Sequence, residues 1–123
     1  MATNNVSPSR LFHAKLSGTE ADLTLVNGSS TVTTGERWIV TCVTVTNNDT
    51  SDRTVLLRFV PTGETAGDEH NILSGQTGTK IAAGTTAVFS GRWILHAGDK
   101  VRGSCSSANK VTVRGDGAIA TVS

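Results

Sequence analysis

The chain has 123 residues, a formal charge of +1 at pH 7, 37% hydrophobic residues and 4% aromatic residues, with no Tyr. This length suits one domain that buries its own core, so folding needs neither a metal ion nor a disulfide. The near-neutral charge, the absence of a basic run and the few aromatic rings argue against direct nucleic-acid binding.

The N-terminal residues carry no recognisable targeting signal. Residues 1–5 are polar and no apolar stretch follows them, unlike a secretory signal peptide, and no run approaches the length of a membrane span. We therefore expect a protein made and assembled in a reducing cytoplasm, without a membrane partner. Cys42 and Cys105 should stay reduced there, with at least Cys42 in the core, although their predicted strands would let them face one another.

The first predicted element is an arm. Residues 1–9 lack periodicity, and residues 10–16 form a short strand or docking segment, so we assign 1–16 to a flexible docking arm and 17–123 to the folded domain. Leu11 and Phe12 are adjacent and would point to opposite sides of an extended segment. Both are candidate partner contacts.

From residue 21 onwards, short runs rich in Val, Ile and Thr alternate with turns that contain Gly or Asn. Segment 29–34 is either an edge strand or a loop, and 62–78 is the longest irregular segment and the best candidate for a specialised loop. No capped amphipathic helix is found. The chain is therefore predicted to be all-β, an antiparallel β-sandwich or jelly roll. The predicted strands cover 21–26, 36–46, 54–60, 80–83, 86–90, 92–95, 101–105 and 110–122.

Three apolar residues of these strands are further candidate partner contacts. Neither face of strand 36–46 is fully polar, which predicts a cover on both sides, one from the core and one from a neighbouring subunit. Trp38 lies in this strand and Trp93 in a later one. Both suit core or interface packing better than a sugar-binding platform. Leu56 is the apolar exception on the outer face of strand 54–60.

No residue pattern indicates an enzyme. There is no Gly-x-Ser-x-Gly motif, and the three scattered His residues do not supply the metal ligands of a cupin. Asp68, Glu69 and His70 are consecutive and are expected at a solvated loop tip, because neighbouring side chains of an extended loop point apart. We predict no catalytic residues, no metal and no cofactor.

The stretch from Gly35 to about Gly117 resembles a set of small structural proteins of tailed-bacteriophage virions. Thr34 stands where the commoner pattern of that family has Pro. This difference bears on which subgroup of the family the chain resembles, and not on its fold. The matching pieces are Thr34 to Thr41, Val45 to Asn47, Arg53 to Pro61, Ala66 to Asp68, Ile81 to Thr85 and Leu95 to Arg102.

This resemblance implies a non-enzymatic structural protein of the virion, assembled in the host cytoplasm. It implies most directly a capsid decoration (cement) protein that binds the head shell. It also implies self-association as a homotrimer or ring, and contact with the major capsid protein or other virion proteins. A neck, tail or fibre module that binds the host surface or a carbohydrate is the alternative.

Overall fold

The computed structural model describes residues 6–74 and 79–121, which form nine strands and one 3-10 turn, Asp68–His70. None of the described residues belongs to a helix that is long and apolar enough to cross a membrane. The strands are β1 (Val6–Lys15), β2 (Ala21–Asp22), β3 (Glu36–Asn47), β4 (Arg53–Val60), β5 (Asn71–Ser74), β6 (Lys80–Ile81), β7 (Thr86–Leu95), β8 (Lys100–Cys105) and β9 (Val111–Thr121).

The strands form two antiparallel sheets. Sheet A has the order β1-β9-β3-β7, and sheet B has the order β2-β8-β4-β5, with β6 also paired to β4. The pairs are nested: β1 with β9, β2 with β8, β3 with β7, and β4 with β5 and β6, and successive pairs alternate between the sheets. This nesting is the topology of a jelly roll, so the predicted fold class is confirmed.

A line of β-bulges crosses sheet A at one level. Register shifts occur at Leu11 in β1, at Thr41 in β3, and at Gly91 and Arg92 in β7. A bulge places two consecutive side chains on one side of a strand. Leu11 and Phe12 therefore both face the core, where they are 0% and 1% exposed, and the prediction that they point to opposite sides is wrong.

Two glycines of β9 make this packing possible. The ring of Phe12 occupies the space that a β-carbon on Gly115 would need, and a β-carbon on Gly117 would overlap the carbonyl oxygen of Ile39. A side chain on β9 would therefore have to displace the Phe12 ring at position 115 and the backbone of β3 at position 117. The Arg114-Gly115-Asp116 tripeptide lies inside β9.

Residues 6–16 belong to the sandwich and not to a separate arm. β1 pairs with β9 from Val6 to Lys15, and Leu16 is fully buried. The apolar side chains at Leu11, Phe12 and Leu16 drive this placement, because leaving them exposed would cost about 1.5–3 kcal/mol each. Residues 1–5 of the predicted arm lie outside the described residues.

The core fills the space between the sheets. The rings of Phe12 and Phe59 are edge to face with centroids 6.1 Å apart, and those of Phe59 and Trp93 are edge to face at 6.0 Å. These three side chains join both sheets through the middle of the sandwich. Trp38 is fully buried in the same core, and its Nε1–H donates to Glu36 Oε1 at 2.9 Å.

The cysteines do not face one another. Cys105 on β8 is buried, whereas Cys42 on β3 lies at the bulge, points out of sheet A and is half-buried. The prediction that Cys42 belongs to the core is therefore wrong. Both thiols are free.

Replacing Gly117 with Ala is expected to lower the free energy of unfolding by at least about 2 kcal/mol, because backbone atoms of β3 would have to move. Urea unfolding measures it. Gly18→Ala is the matched control, since its β-carbon would find its nearest neighbour, the Ala108 nitrogen, 4.0 Å away. Equal losses in the two variants would contradict the close approach at Gly117.

Candidate assembly surface

The five predicted contact residues do not share one surface. Leu11, Phe12 and Trp38 are buried in the core. Trp93 faces inward, half-buried, with its ring against Phe59. Leu56 is half-buried on the outer face of sheet B.

The two tryptophans do not form a sugar-stacking platform. Trp38 has no exposed area, and the ring of Trp93 lies within 2.7 Å of the position that a β-carbon on Gly91 would take. The Trp93 ring therefore packs against Gly91 in the β7 bulge and does not present a flat face to solvent. Both tryptophans serve packing, as the residue pattern predicted.

The outer face of sheet A carries an apolar patch at one end. Ile94, Ile39, Ala118 and Pro8 are Cα partners in turn across all four strands, and Ala120 and Val6 pair in an adjacent row. We call these six residues the apolar patch. Val6 and Ile94 are 63% and 43% exposed. Ile39, Ala118 and Ala120 are half-buried. The apolar patch includes the outer side of β3, for which the sequence predicted a cover from a neighbouring subunit.

Unpaired cations surround the apolar patch. Arg37 and Arg92 lie beside it on β3 and β7, and Arg10 lies on β1 in the neighbouring row. All three are exposed or nearly so, and none forms an ion pair within residues 6–74 and 79–121. Arg114 on the same face pairs with Asp116 at 3.0 Å. Lys15 is exposed at the far end of β1.

The outer face of sheet A therefore differs in charge from the rest of the protein. Its five cations and one carboxylate give it a formal charge of +4. The whole chain carries +1, and the residues outside the described ranges contain no Asp, Glu, Lys or Arg, so the rest of the chain carries −3, including the buried Asp99.

The arginines and isoleucines of this surface were not among the residues predicted from the sequence. The tripeptide Arg-Trp-Ile occurs twice, at 37–39 and 92–94, and the two copies lie on neighbouring strands. Alternation along a strand sends each Trp into the core and each Arg and Ile outward. That repeat was the available signal, but only the sheet order shows that Ile39 and Ile94 are neighbours.

The edges of sheet A are poorly suited to strand addition. At the β1 edge, Pro8 lacks an N–H group, and the Val26 N–H donates to the Leu11 carbonyl at 2.9 Å. At the β7 edge, the bulge at Gly91 and Arg92 interrupts a regular ladder. The broad outer face, and not an edge, is the surface of sheet A that suits a partner.

Sheet B places its charges in an internal ion network. Arg58 Nη1 donates to Glu20 Oε1 at 2.6 Å and Arg58 Nη2 to Asp68 Oδ1 at 2.9 Å. Arg102 donates to Glu20 Oε2 at 2.7 Å and also pairs with Asp22. This network joins β4, β8 and the segment before β2, so its cations are already neutralised.

The network changes the ionisation of two of its members. Burial alone would raise the pKa of Glu20, but the hydrogen bonds and positive charges of Arg102 and Arg58 outweigh burial and hold the pKa below its ordinary 4.5. The hydrogen bond to Glu20 raises the pKa of Arg102. Both groups are therefore charged at neutral pH.

The prediction of a solvated loop tip holds for Asp68 and Glu69, which are 92% and 70% exposed, and is wrong for His70. His70 is 8% exposed, its Nε2 lies 3.0 Å from Glu64 Oε1, and its Nδ1 accepts from the Gly67 N–H at 3.2 Å. The short 3-10 turn directs the ring inward, which sequence alone did not indicate. Asp68 is exposed as predicted.

Potential metal ligands are scattered among the described residues. Within 6–74 and 79–121, no group of three or more His, Cys, Asp or Glu side chains could hold a metal ion. The buried Asp99 accepts from the N–H groups of Thr62 and His96, and the buried Asn47 bonds Ser51, Ile81 and Asp49. Both side chains have structural partners and hold turns in place.

No protein-family model and no curated protein sequence matches this chain. Several solved structures share its fold, among them one pilus and two viral particles. A chain of the disulfide-linked pili of Bacillus endospore appendages aligns at TM-score 0.57 and 14% identity, covering 100% of this chain and 92% of that one.

The other two solved structures are viral particles. A chain in the acidic stable capsid structure of Helicobacter pylori bacteriophage KHP30 aligns at TM-score 0.50 and 16% identity, covering 99% of this chain and 94% of that one. A chain of the T13 particle of IBDV aligns at TM-score 0.53 and 9% identity, and this chain spans only 31% of its length. At such identities, the likeness establishes the jelly-roll fold alone.

Glu20→Gln is expected to lower the free energy of unfolding at neutral pH by about 1 kcal/mol, because Arg58 and Arg102 lose their shared anion. A lowered pKa contributes stability above pH 4.5, the ordinary pKa, and that stability is lost as the pH falls through the folded-state pKa. The difference between wild type and variant should therefore shrink in acid, measured by urea unfolding from about pH 6 to about pH 3.

Glu69→Gln is the control for this experiment. Glu69 is 70% exposed, and the ionic contact of its Oε1 is with His70 Nε2 at 3.6 Å and not with an arginine. This variant should follow the wild-type pH dependence. A Glu20→Gln variant that kept a constant deficit across the whole pH range would contradict the assigned ionic role.

Proposed function

We propose that this chain is a non-enzymatic structural protein of a phage virion, and specifically a capsid decoration protein that binds and stabilises the head shell. The observation that carries the proposal is the outer face of sheet A. It combines an apolar patch with cations that have no ionic partner within the described part of the chain, on a rigid jelly roll. An apolar centre with a polar rim is the anatomy of a protein–protein contact.

The construction of the sandwich supports this role. The two sheets share one buried core that three aromatic rings cross, and the turns are held by buried Asn47 and Asp99. Such a block can bridge shell subunits without changing shape, so its binding energy goes into stabilising the shell. The edges of sheet A disfavour open-ended strand addition, which is useful for a protein present in many copies.

The structural neighbours add support at the level of fold. Two belong to viral particles, one of them a phage capsid, and the third to a pilus, so each belongs to a protein assembly. The phage capsid chain aligns over nearly its full length with this chain. We propose that this chain likewise acts by assembling with other proteins. It would associate with itself as a homotrimer or ring and bind the major capsid protein. Assembly would take place in the host cytoplasm, and the assembled protein would be part of the virion.

Heads isolated without this protein, from the phage whose genome encodes it, are expected to bind the purified chain and to release their DNA at a higher temperature. A ligand that binds only the intact shell, at 100 times its Kd, stabilises each site by about 2.7 kcal/mol. Co-sedimentation measures binding, and a DNA-binding dye reports release during heating.

Tail preparations of the same phage are the control. Binding to heads together with an unchanged release temperature would contradict a stabilising role. Binding to tails and not to heads would favour the neck, tail or fibre module and overturn decoration.

A further inference from the structure

The charged side chains on the outer face of sheet A indicate the chemistry of the partner that would bind there. Four of its five cations are arginines, and Arg10, Arg37 and Arg92 have no carboxylate partner among the described residues. Arginine is enriched and lysine depleted at protein interfaces, since the guanidinium group is weakly hydrated and binds carboxylates through two parallel hydrogen bonds. The opposite face, sheet B, has already neutralised its arginines internally.

We propose that the apolar patch and its surrounding arginines form the surface that docks on the shell, and that its partner is an acidic protein surface with an apolar centre. This inference rests on the proposed function and adds the contact face and the partner's chemistry. The apolar patch excludes water at the centre of the contact, while Arg10, Arg37 and Arg92 meet carboxylates around it.

A nucleic acid fits this surface poorly. Phosphates would meet the arginines, but the isoleucines at the centre of the face would gain nothing from a charged backbone. The surface also offers no tyrosine or tryptophan ring on which a base could stack. The chain contains no Tyr, and both Trp38 and Trp93 face inward.

A second copy of the chain also fits poorly. A two-fold dimer through this face would bring two surfaces of formal charge +4 together, and like charges across an interface cost several kcal/mol. A head-to-tail contact through sheet B would meet few free carboxylates, because Glu20 and Asp22 are held by arginines there and Asp68 pairs with Arg58. Glu64 and Glu69, between β4 and β5, are 56% and 70% exposed, so the solution mass of the variants tests a head-to-tail contact through that segment.

The test compares two double variants with the same change in formal charge. R10E/R37E reverses two cations on the proposed surface, and K80E/K110E reverses two exposed cations outside it, of which Lys80 forms an exposed ion pair with Asp52 at 3.6 Å. Neither arginine has an internal ionic partner to lose, so the fold should hold, as thermal unfolding would show. We expect R10E/R37E to raise the Kd for heads at least about tenfold and K80E/K110E to change it by less than about twofold.

A second pair of variants tests the apolar centre. Ile94→Thr and Val88→Thr both replace an exposed β-branched residue on the outer face of β7, 43% and 61% exposed, but only Ile94 belongs to the apolar patch. We expect Ile94→Thr to weaken binding about tenfold and Val88→Thr to leave it unchanged.

The outcomes separate this inference from the proposed function. Wild-type protein that fails to bind heads overturns both. Wild-type protein that binds, with R10E/R37E binding equally well, overturns only the surface. A shift of R10E/R37E to a smaller solution mass in light scattering would assign the face to a second copy, and duplex DNA that ranks the variants in the same order would assign it to nucleic acid. Either result overturns the proposal.

Discussion

The close approach of β3 and β9 is the constraint on which sheet A depends. Gly117 lies so near the backbone of Ile39 that no side chain fits, and Gly115 gives its space to the ring of Phe12. The bulges at Leu11, Thr41 and Gly91 follow the same line across the sheet. They send Leu11 and Phe12 into the core together, and they also divide the outer face into an apolar end and a polar end. One local packing constraint thus shapes both the core and the surface proposed for docking.

The two sheets treat charge in opposite ways. On sheet B, Arg58 and Arg102 form ion pairs with Glu20, Asp22 and Asp68. The charges of these two arginines are therefore neutralised within the protein at neutral pH. Sheet A leaves Arg10, Arg37 and Arg92 without carboxylates and sets them around exposed isoleucines. A protein that only had to fold would gain nothing from that arrangement, whereas a protein that must fold alone and then dock by one face would. The asymmetry is therefore the physical basis of the proposed function.

Much of the fold was predictable from the sequence, because Val- and Thr-rich runs closed by Gly turns have a period of two. Strands β3 and β4 and the jelly-roll class follow directly. The strand pairing was not predictable, since nested partners are far apart in the chain. Neither were the bulges in β1 and β3 that turn Leu11 inward and Cys42 outward. The arm was mistaken over residues 6–16 because edge strands are often polar on both sides. The repeated Arg-Trp-Ile tripeptide indicated part of the proposed docking surface. Only the sheet order shows that its two copies lie side by side on β3 and β7.

The orientation of the domain on its shell is the most direct test of this account. Electron cryomicroscopy of heads with the bound chain would place both sheets relative to the shell surface. The account predicts that the outer face of sheet A meets the shell, with Ile39 and Ile94 buried and shell carboxylates near Arg10 and Arg37. A domain that sits on sheet B, or on the loops at either end, with sheet A turned to solvent, would contradict it.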